Sequence, residues 1–461
     1  MALFLESFPS LKSTARINSF EKRIEATQFF DCKFYPYTAA GVDPVFAVVG
    51  KRETIICRPL KSKNAGFEVL RWFQDDDPNV DLNSLAWSRD LTTGDPLICV
   101  AGKDKPSIDV LNVKTGQLVK TLIGHGKDIE DLAVSPLSPS ILASVSMDHS
   151  VRFWSLDSAH EKQPCMLICA GEGHKEGILT MAFHHTGRYL LTGGHDSVVN
   201  LWVIPELPDE NVGTDKLTRI HYPHFSTSAI HTNYVDCVAW YDDLILSKCA
   251  DSHMIVLWRI EGFSSDNPPP PASTAPTAHT FTPTRSAFGG GYQRLLEFDC
   301  KETTSFYIRF SLFHRPWQRP MLVIGNENSK VYFWDLQRLE DWTEADDIGD
   351  GGDGFKVPLV VKKKHAGGRP RLKQREPSVT STTTSGSLAP RSEDSGEAVA
   401  DMTAPKSRKR YGVEDPFKPL QPHQTVVVPK VLFASRQTAW SVGGEWMVVV
   451  GDQGMIAVFH R

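Results

Sequence analysis

An all-β fold, a seven-bladed β-propeller, is predicted by three observations in this 461-residue chain. One polar pattern occurs twice: His125 is followed by Ser144, Asp148 and Trp154, and His174 by Thr192, Asp196 and Trp202. In both copies the hydroxyl stands four residues before the Asp, and the Asp six before the Trp. Seven stretches pair two apolar, β-branched runs across a short turn, as the second half of a four-stranded blade should. Hydrophobic residues make up 41% of the chain, with eleven Trp among them, enough for one large β-rich core.

The repeated pattern has a chemical reason. Asp148 and Asp196 suit a tight turn, because Asp bonds its own backbone and tolerates turn geometry. A His on the preceding loop can bond that carboxylate, the hydroxyl can bond the His, and the Trp N–H can close the chain. Four buried polar groups are tolerable only when each has a partner. The pattern is the signature of a WD40 blade of about 40–45 residues. It makes these His and Asp residues structural, not metal ligands or general bases.

The seven endings, in order, are 45–60, 96–113, 141–156, 189–204, 244–260, 321–336 and 446–461. Four carry a terminal Trp, at Trp154, Trp202, Trp258 and Trp334, and three are degenerate. The last ending needs a further strand, which propellers commonly take from the N-terminal segment so that no edge stays open. Residues 20 to 35 are expected to supply it, leaving 1–20 as a tail and 21–461 as the propeller.

Two gaps exceed a blade: Trp258 to Trp334, and Trp334 to Phe459. Residues 264–291, SSDNPPPPASTAPTAHTFTPTRSAFGGG, read as a Pro-rich disordered loop. Residues 345–412 read as a second disordered insertion, basic and rich in Ser and Thr. It carries two basic clusters, Lys362–Lys364 running on to Arg375 and Lys406–Arg410, which suggest nuclear import. Its GGRPRLK run looks like the core of an AT-hook, so Arg369 and Arg371 are candidates for weak DNA contact.

Several function classes are disfavoured. A net charge of −5 gives no global nucleic-acid footprint. No signal peptide and no apolar run near 18 residues is found, so no membrane role is expected. The eight Cys sit mostly in apolar runs without metal-ligand spacing, which suits a reduced, intracellular protein and no bound metal or cofactor. No G-x-S-x-G, H-E-x-x-H, P-loop or kinase motif is present. The glycines of AFGGGY precede no helix signal, and EADDIGDGGDG lacks the closing Glu of a calcium loop. An enzyme is not expected.

Other segments carry more information. RIHYPHFSTSAIHTNYVDCVAW (219–240), DLILSKCADSHMIVLW (243–258), SFYIRFS (305–311), GNENSKVYFWDL (325–336) and FASRQTAWS (433–441) resemble the EED / Extra sex combs family. These are the WD40 subunits of Polycomb repressive complex 2. The likeness spans nearly all of the chain outside the two insertions and points to a fungal-type member. It implies a non-catalytic nuclear scaffold that reads a trimethylated histone H3 tail at one mouth of the ring. It also implies that the opposite face holds a helix of a SET-domain methyltransferase, which the bound mark activates. A zinc-finger Su(z)12-type subunit would share the complex.

The resemblance assigns site residues one by one. Phe34, twelve residues before Phe46, takes the place of one cage ring, and Phe306 and Tyr307 take the place of a Trp-Tyr pair. Asn83 falls where the family has a Tyr, and Tyr35 or Tyr37 is a candidate substitute. Each good ring contributes about 0.5–2 kcal/mol to holding a quaternary ammonium, so one missing ring weakens binding about tenfold. Arg309 and Arg436 are the implied peptide contacts, and Trp87 reads as core. The alternative is a pure assembly scaffold with a degenerate cage.

Overall fold

A computed structural model describes residues 7–18, 27–62, 66–277, 282–339 and 415–461. The 345–412 insertion, with both basic clusters, Arg369 and Arg371, lies outside the described residues.

Seven sheets form, antiparallel except where Thr218–Ile220 adds a parallel fifth strand to blade three, and each contains one of the seven apolar endings as its second and third strands. Their first strands are Asp31–Phe34, Asp81–Arg89, Ile129–Val134, Ile178–Phe183, Val235–Tyr241, Phe310–Phe313 and Ser435–Trp440, in blades one to seven. These strands pack side by side in cyclic order, the seventh against the first, and so line the axis of a closed ring. Between blades the sheets bury apolar faces. One such layer, between blades seven and one, holds Phe29, Phe46, Ile55, Trp446 and Val448.

Ring closure differs from the expectation. The outer strand of blade seven is Ser10–Arg16, which pairs antiparallel with Met455–His460. Residues 31–34 instead open blade one. Ser10–Arg16 competes successfully because its polar residues suit an outer edge, whereas Asp31, Cys32 and Phe34 are buried at the axis. The propeller therefore begins inside the segment assigned to a tail.

The described parts of the Pro-rich segment, 264–277 and 282–291, are also more ordered than its composition suggests. Thr284–Ser286 adds a fifth strand to blade four, antiparallel to Phe225–Thr227. Thr227 and Thr284 share a hydroxyl hydrogen bond of 2.8 Å. The Ser265 N–H donates to Asp243 (3.1 Å), Arg188 donates to the Ser265 carbonyl, and Phe263 packs edge-on against Phe288 at 5.3 Å. Proline lacks a donor but tolerates extended edge conformations, so sheet pairing at one end and side-chain anchors at the other hold the strap.

Both polar tetrads form. Trp154 Nε1–H donates to Ser144 (2.8 Å), whose hydroxyl reaches His125 Nε2 (2.7 Å), and His125 Nδ1–H reaches Asp148 (2.9 Å). The second chain runs Trp202 to Thr192 (2.9 Å), Thr192 to His174 (2.8 Å) and His174 to Asp196 (3.0 Å). Blade five holds two of the three links: Trp258 donates to Ser247 (2.8 Å), which reaches His231 (2.7 Å). All eight Cys are buried and free. No helix among the described residues is long and apolar enough to cross a membrane.

A candidate aromatic site at one mouth of the propeller

All seven inner strands begin at the same mouth. In five of them the pairing register slips near the start, between Leu82 and Ser84, Ile129 and Asp131, Ile178 and Thr180, Val235 and Cys237, and Ser435 and Gln437. A bulge of this kind leaves one residue unpaired and re-aims it. The five residues so placed are Asn83, Glu130, Leu179, Asp236 and Arg436.

Each of the five bonds one short segment, Phe306–Arg309, that leads into blade six. Asn83 Nδ2 donates to the Tyr307 hydroxyl (3.2 Å), and that hydroxyl donates to Glu130 Oε2 (2.7 Å). The Tyr307 N–H donates to Asp236 Oδ2 (3.3 Å). Arg309 Nη2 donates to the Leu179 carbonyl (2.7 Å). Arg436 Nη1 donates to the Phe306 carbonyl (2.7 Å), while its Nε and Nη2 grip Asp452 at 2.9 and 3.0 Å.

Tyr307 sits at φ +67°, the left-handed region. For a bulky residue this conformation stores about 1–3 kcal/mol and persists only where surroundings over-determine it, most often at functional sites. Five blades supply that determination here.

Rings gather around it. Phe30 meets Tyr307 edge-on at 6.0 Å, and Phe306 does so at 4.8 Å. His195 stacks on Phe306 at 6.0 Å and meets Tyr234 at 4.6 Å. Phe30, Phe306 and His195 are half-buried and Tyr234 is exposed, while Tyr307, Asn83 and Glu130 are buried. Aromatic faces of differing tilt beside a buried carboxylate favour a cation. Burial, reinforced by the charge of Glu130, pushes the Tyr307 hydroxyl well above its ordinary range, so it stays a donor. Burial lowers His195, leaving a neutral ring at pH 7.

A largely buried charge layer, with Lys33 only partly covered, lies further along the axis. Lys33 approaches Asp31 (3.2 Å) and Asp131 (3.8 Å), Arg309 pairs with Asp131 (3.5 Å), and Lys248 with Asp236 (3.5 Å). Desolvation raises Asp31 and Asp236. Pairing of opposite charges is the condition on which such groups are buried at all.

The WD domain, G-beta repeat family model matches residues 116–155 and 165–203, the two blades with complete tetrads. Polycomb protein EED of Chaetomium thermophilum is 36% identical over 95% of this chain and 91% of its own length. The chain belongs to the EED / Extra sex combs family. Polycomb group protein FIE2 of Zea mays is 32% identical over 67% of this chain and 74% of its own. The Chaetomium thermophilum Polycomb repressive complex 2 solved in complex with H3K27me3 contains a chain 35% identical to this one, with TM-score 0.81 over 99% and 98% of the two chains. The family is one of non-catalytic WD-repeat Polycomb subunits.

Within this EED-family ring the expected site residues separate. Asn83, Phe306 and Tyr307 converge as described. Phe34 does not join them: it lies at the far end of its strand, 6% exposed, packed on Phe46 at 5.4 Å. Phe30 stands where Phe34 was expected. Four residues of extended strand carry a side chain about 13 Å along the axis, from one mouth toward the other. Tyr35 and Tyr37 are likewise at the opposite mouth, against Trp87 and each other, and cannot replace a ring for Asn83. Arg309 is 4% exposed and stacks 4.6 Å from the Tyr307 ring centre, so it braces the site instead of meeting a peptide. Arg436 spends its guanidinium on Asp452 and Phe306, which makes it a positioning residue. Trp87 is core, its indole N–H donating to the Lys33 carbonyl (2.8 Å).

Glu130, His195 and Phe30 were not among the expected residues. The Phe29-Phe30 doublet is a weak signal, since one ring is fully buried and the other only half. Glu130 carries none, because its position depends on a bulge that no local motif announces.

Proposed function

We propose that the mouth lined by Phe30, Phe306, Tyr307 and His195 binds a methylated lysine of a histone H3 tail, in a protein that scaffolds and activates a SET-domain methyltransferase. The observation that carries this is Tyr307, held in a strained backbone conformation by bonds from three blades, within a segment that five blades bond, among rings that remain half open. Such effort serves no packing need at a solvent-facing mouth. The Chaetomium relative solved with H3K27me3 supports the choice of ligand.

The opposite mouth supports the second half of the reading. A cavity of about 660 Å³ lies there, walled by Phe34, Trp87, Phe313 and Trp440. Val42, Leu91, Leu137 and Trp317, on the loops that follow the inner strands of blades one, two, three and six, are 58–84% exposed. Exposed apolar groups around a hollow of mixed polar and apolar lining suit a protein interface, and a helix of the catalytic subunit is the fitting occupant. A Su(z)12-type subunit in the same complex, work in the nucleus, and weak DNA contact through Arg369 and Arg371 complete the proposal on the strength of the sequence.

Calorimetry with methylated and unmethylated H3 peptides tests the reader. Phe30→Ala and Tyr307→Phe should weaken methyl-peptide binding about tenfold or more for the first and a few-fold for the second, while Phe34→Ala should lower Tm and spare affinity. Equal affinity for the two peptides sinks the reading. One observation favours the pure-scaffold alternative: Asn83 replaces a ring. A methyltransferase assay of the assembled complex, with and without methylated peptide, separates the two.

A further inference from the structure

The floor of the aromatic site has a chemistry that rings alone do not provide. Glu130 is 3% exposed and has no basic partner among the described residues. Its Oε2 accepts from Asn83 Nδ2 (3.0 Å) and from the Tyr307 hydroxyl (2.7 Å). Asn83 is 2% exposed, and its Oδ1 is buried without a hydrogen-bond partner. Two acceptors, one of them anionic, therefore stand together beneath the rings with capacity to spare. A carboxylate offers about four lone-pair sites and an amide oxygen two. Buried acceptors of this kind are costly unless something donates to them.

A trimethylammonium group has no N–H. It gains from ring faces and from negative charge, but it can satisfy neither acceptor. Dimethyl- and monomethyl-lysine ammonium groups each retain at least one N–H, which must itself find a partner once removed from water. We infer that the Asn83–Glu130 pair makes this site select lower methylation states, with dimethyl-lysine donating its N–H to Glu130 while its methyl groups face Phe30, Phe306 and Tyr307. The inference rests on the reader function proposed above and specifies its ligand.

The two residues act in different ways. Asn83 fills the place of a ring and so removes one surface that a third methyl group would contact. Glu130 adds the acceptor. Its charge also reaches His195, where it opposes the lowering caused by burial. The field of the carboxylate is thus felt at the rim of the site as well as at its floor. Charge-assisted hydrogen bonds in water-poor surroundings are shorter and about twice as strong as neutral ones, which suits a difference of one N–H being read as a difference in affinity.

The test is calorimetric titration of the full-length chain with H3 peptides of one sequence carrying H3K27 in the un-, mono-, di- and trimethylated forms. The dimethyl peptide is expected to bind several-fold tighter than the trimethyl one. Glu130→Gln keeps shape and the bond from Asn83 but removes the charge; it should weaken dimethyl binding about tenfold and trimethyl binding clearly less. Asn83→Tyr should move the preference toward trimethyl. Thermal melting of both variants shows that each is folded before titration, and the shift in preference of Asn83→Tyr carries the test should Glu130→Gln not fold. A tighter trimethyl than dimethyl complex, with the order unchanged in Glu130→Gln, overturns the selectivity while leaving the reader intact. Equal binding of all four peptides overturns the reader itself, a distinct result.

Discussion

Arg436 shows how much a single guanidinium can hold. Its fork closes on Asp452, and its remaining nitrogen anchors the Phe306 carbonyl, so one planar group ties blade seven to the ring cluster. Planar, bidentate pairing is what distinguishes Arg from Lys at such a position. Arg436→Lys should therefore resemble Arg436→Ala, with methyl-peptide affinity falling about tenfold and Tm by only a few degrees. Asp452→Asn should give the same loss, and the double variant little more, because the two act as one unit. An additive double variant, or full affinity in Arg436→Ala, would remove this clamp from the account.

Blades differ in what the sequence reveals of them. The tetrads were legible because all four groups of each lie within one blade at fixed spacing, and every bond could be named before its geometry was known. Blade five was harder: Asp251 stands seven before Trp258 instead of six, and His231 and Ser247 proceed without it. The aromatic site was less legible still, because it is assembled from residues of all seven blades. Counting back from Phe46 chose Phe34 over Phe30, since the loop between two strands can lengthen without changing the strands. Gly50 shows the constraint that counting misses. A methyl group on it would stand 1.8 Å from the Gln28 carbonyl, so the backbone before Phe30 crosses the end of the second strand where only glycine fits.

The tetrad elements also set the response to acid. Burial depresses His125, and His231 falls to about 3. His423 falls to about 4. Each accepts a proton in the unfolded chain before it does in the folded one. Stability is then undiminished above the ordinary histidine value of 6.5 and is lost as pH falls below it. Asp196 and Asp148, both held below their ordinary range, extend the loss as pH approaches 4. Tm followed from pH 7.5 to 4.5 should hold steady above about 6.5 and then decline. His231→Gln should soften the decline, and a flat profile would contradict this assignment of buried neutral histidines.

At the scale of the whole ring, the architecture was predictable and its closure was not. Seven apolar endings gave seven blades, but the strand that seals the seventh is a polar stretch, Ser10–Arg16, with no pattern to announce it. Removing residues 1–16 should leave the edge of Met455–His460 open, lower Tm by several degrees and promote association through the exposed strand. Size-exclusion chromatography and melting of the truncated chain would show this; an unchanged monomer with unchanged Tm would mean that the closing strand contributes little.

That closure also imposes an order in time. Ser10–Arg16 leaves the ribosome long before Met455–His460, yet each is the other's partner. Blades three and four, local in sequence and complete in their tetrads, can form while synthesis continues. The strand that finishes the circle must wait, unpaired, until the seventh blade has been made. Its run of Ser, Thr, Lys and Arg, too polar to look like a strand, is what lets it wait without finding the wrong partner.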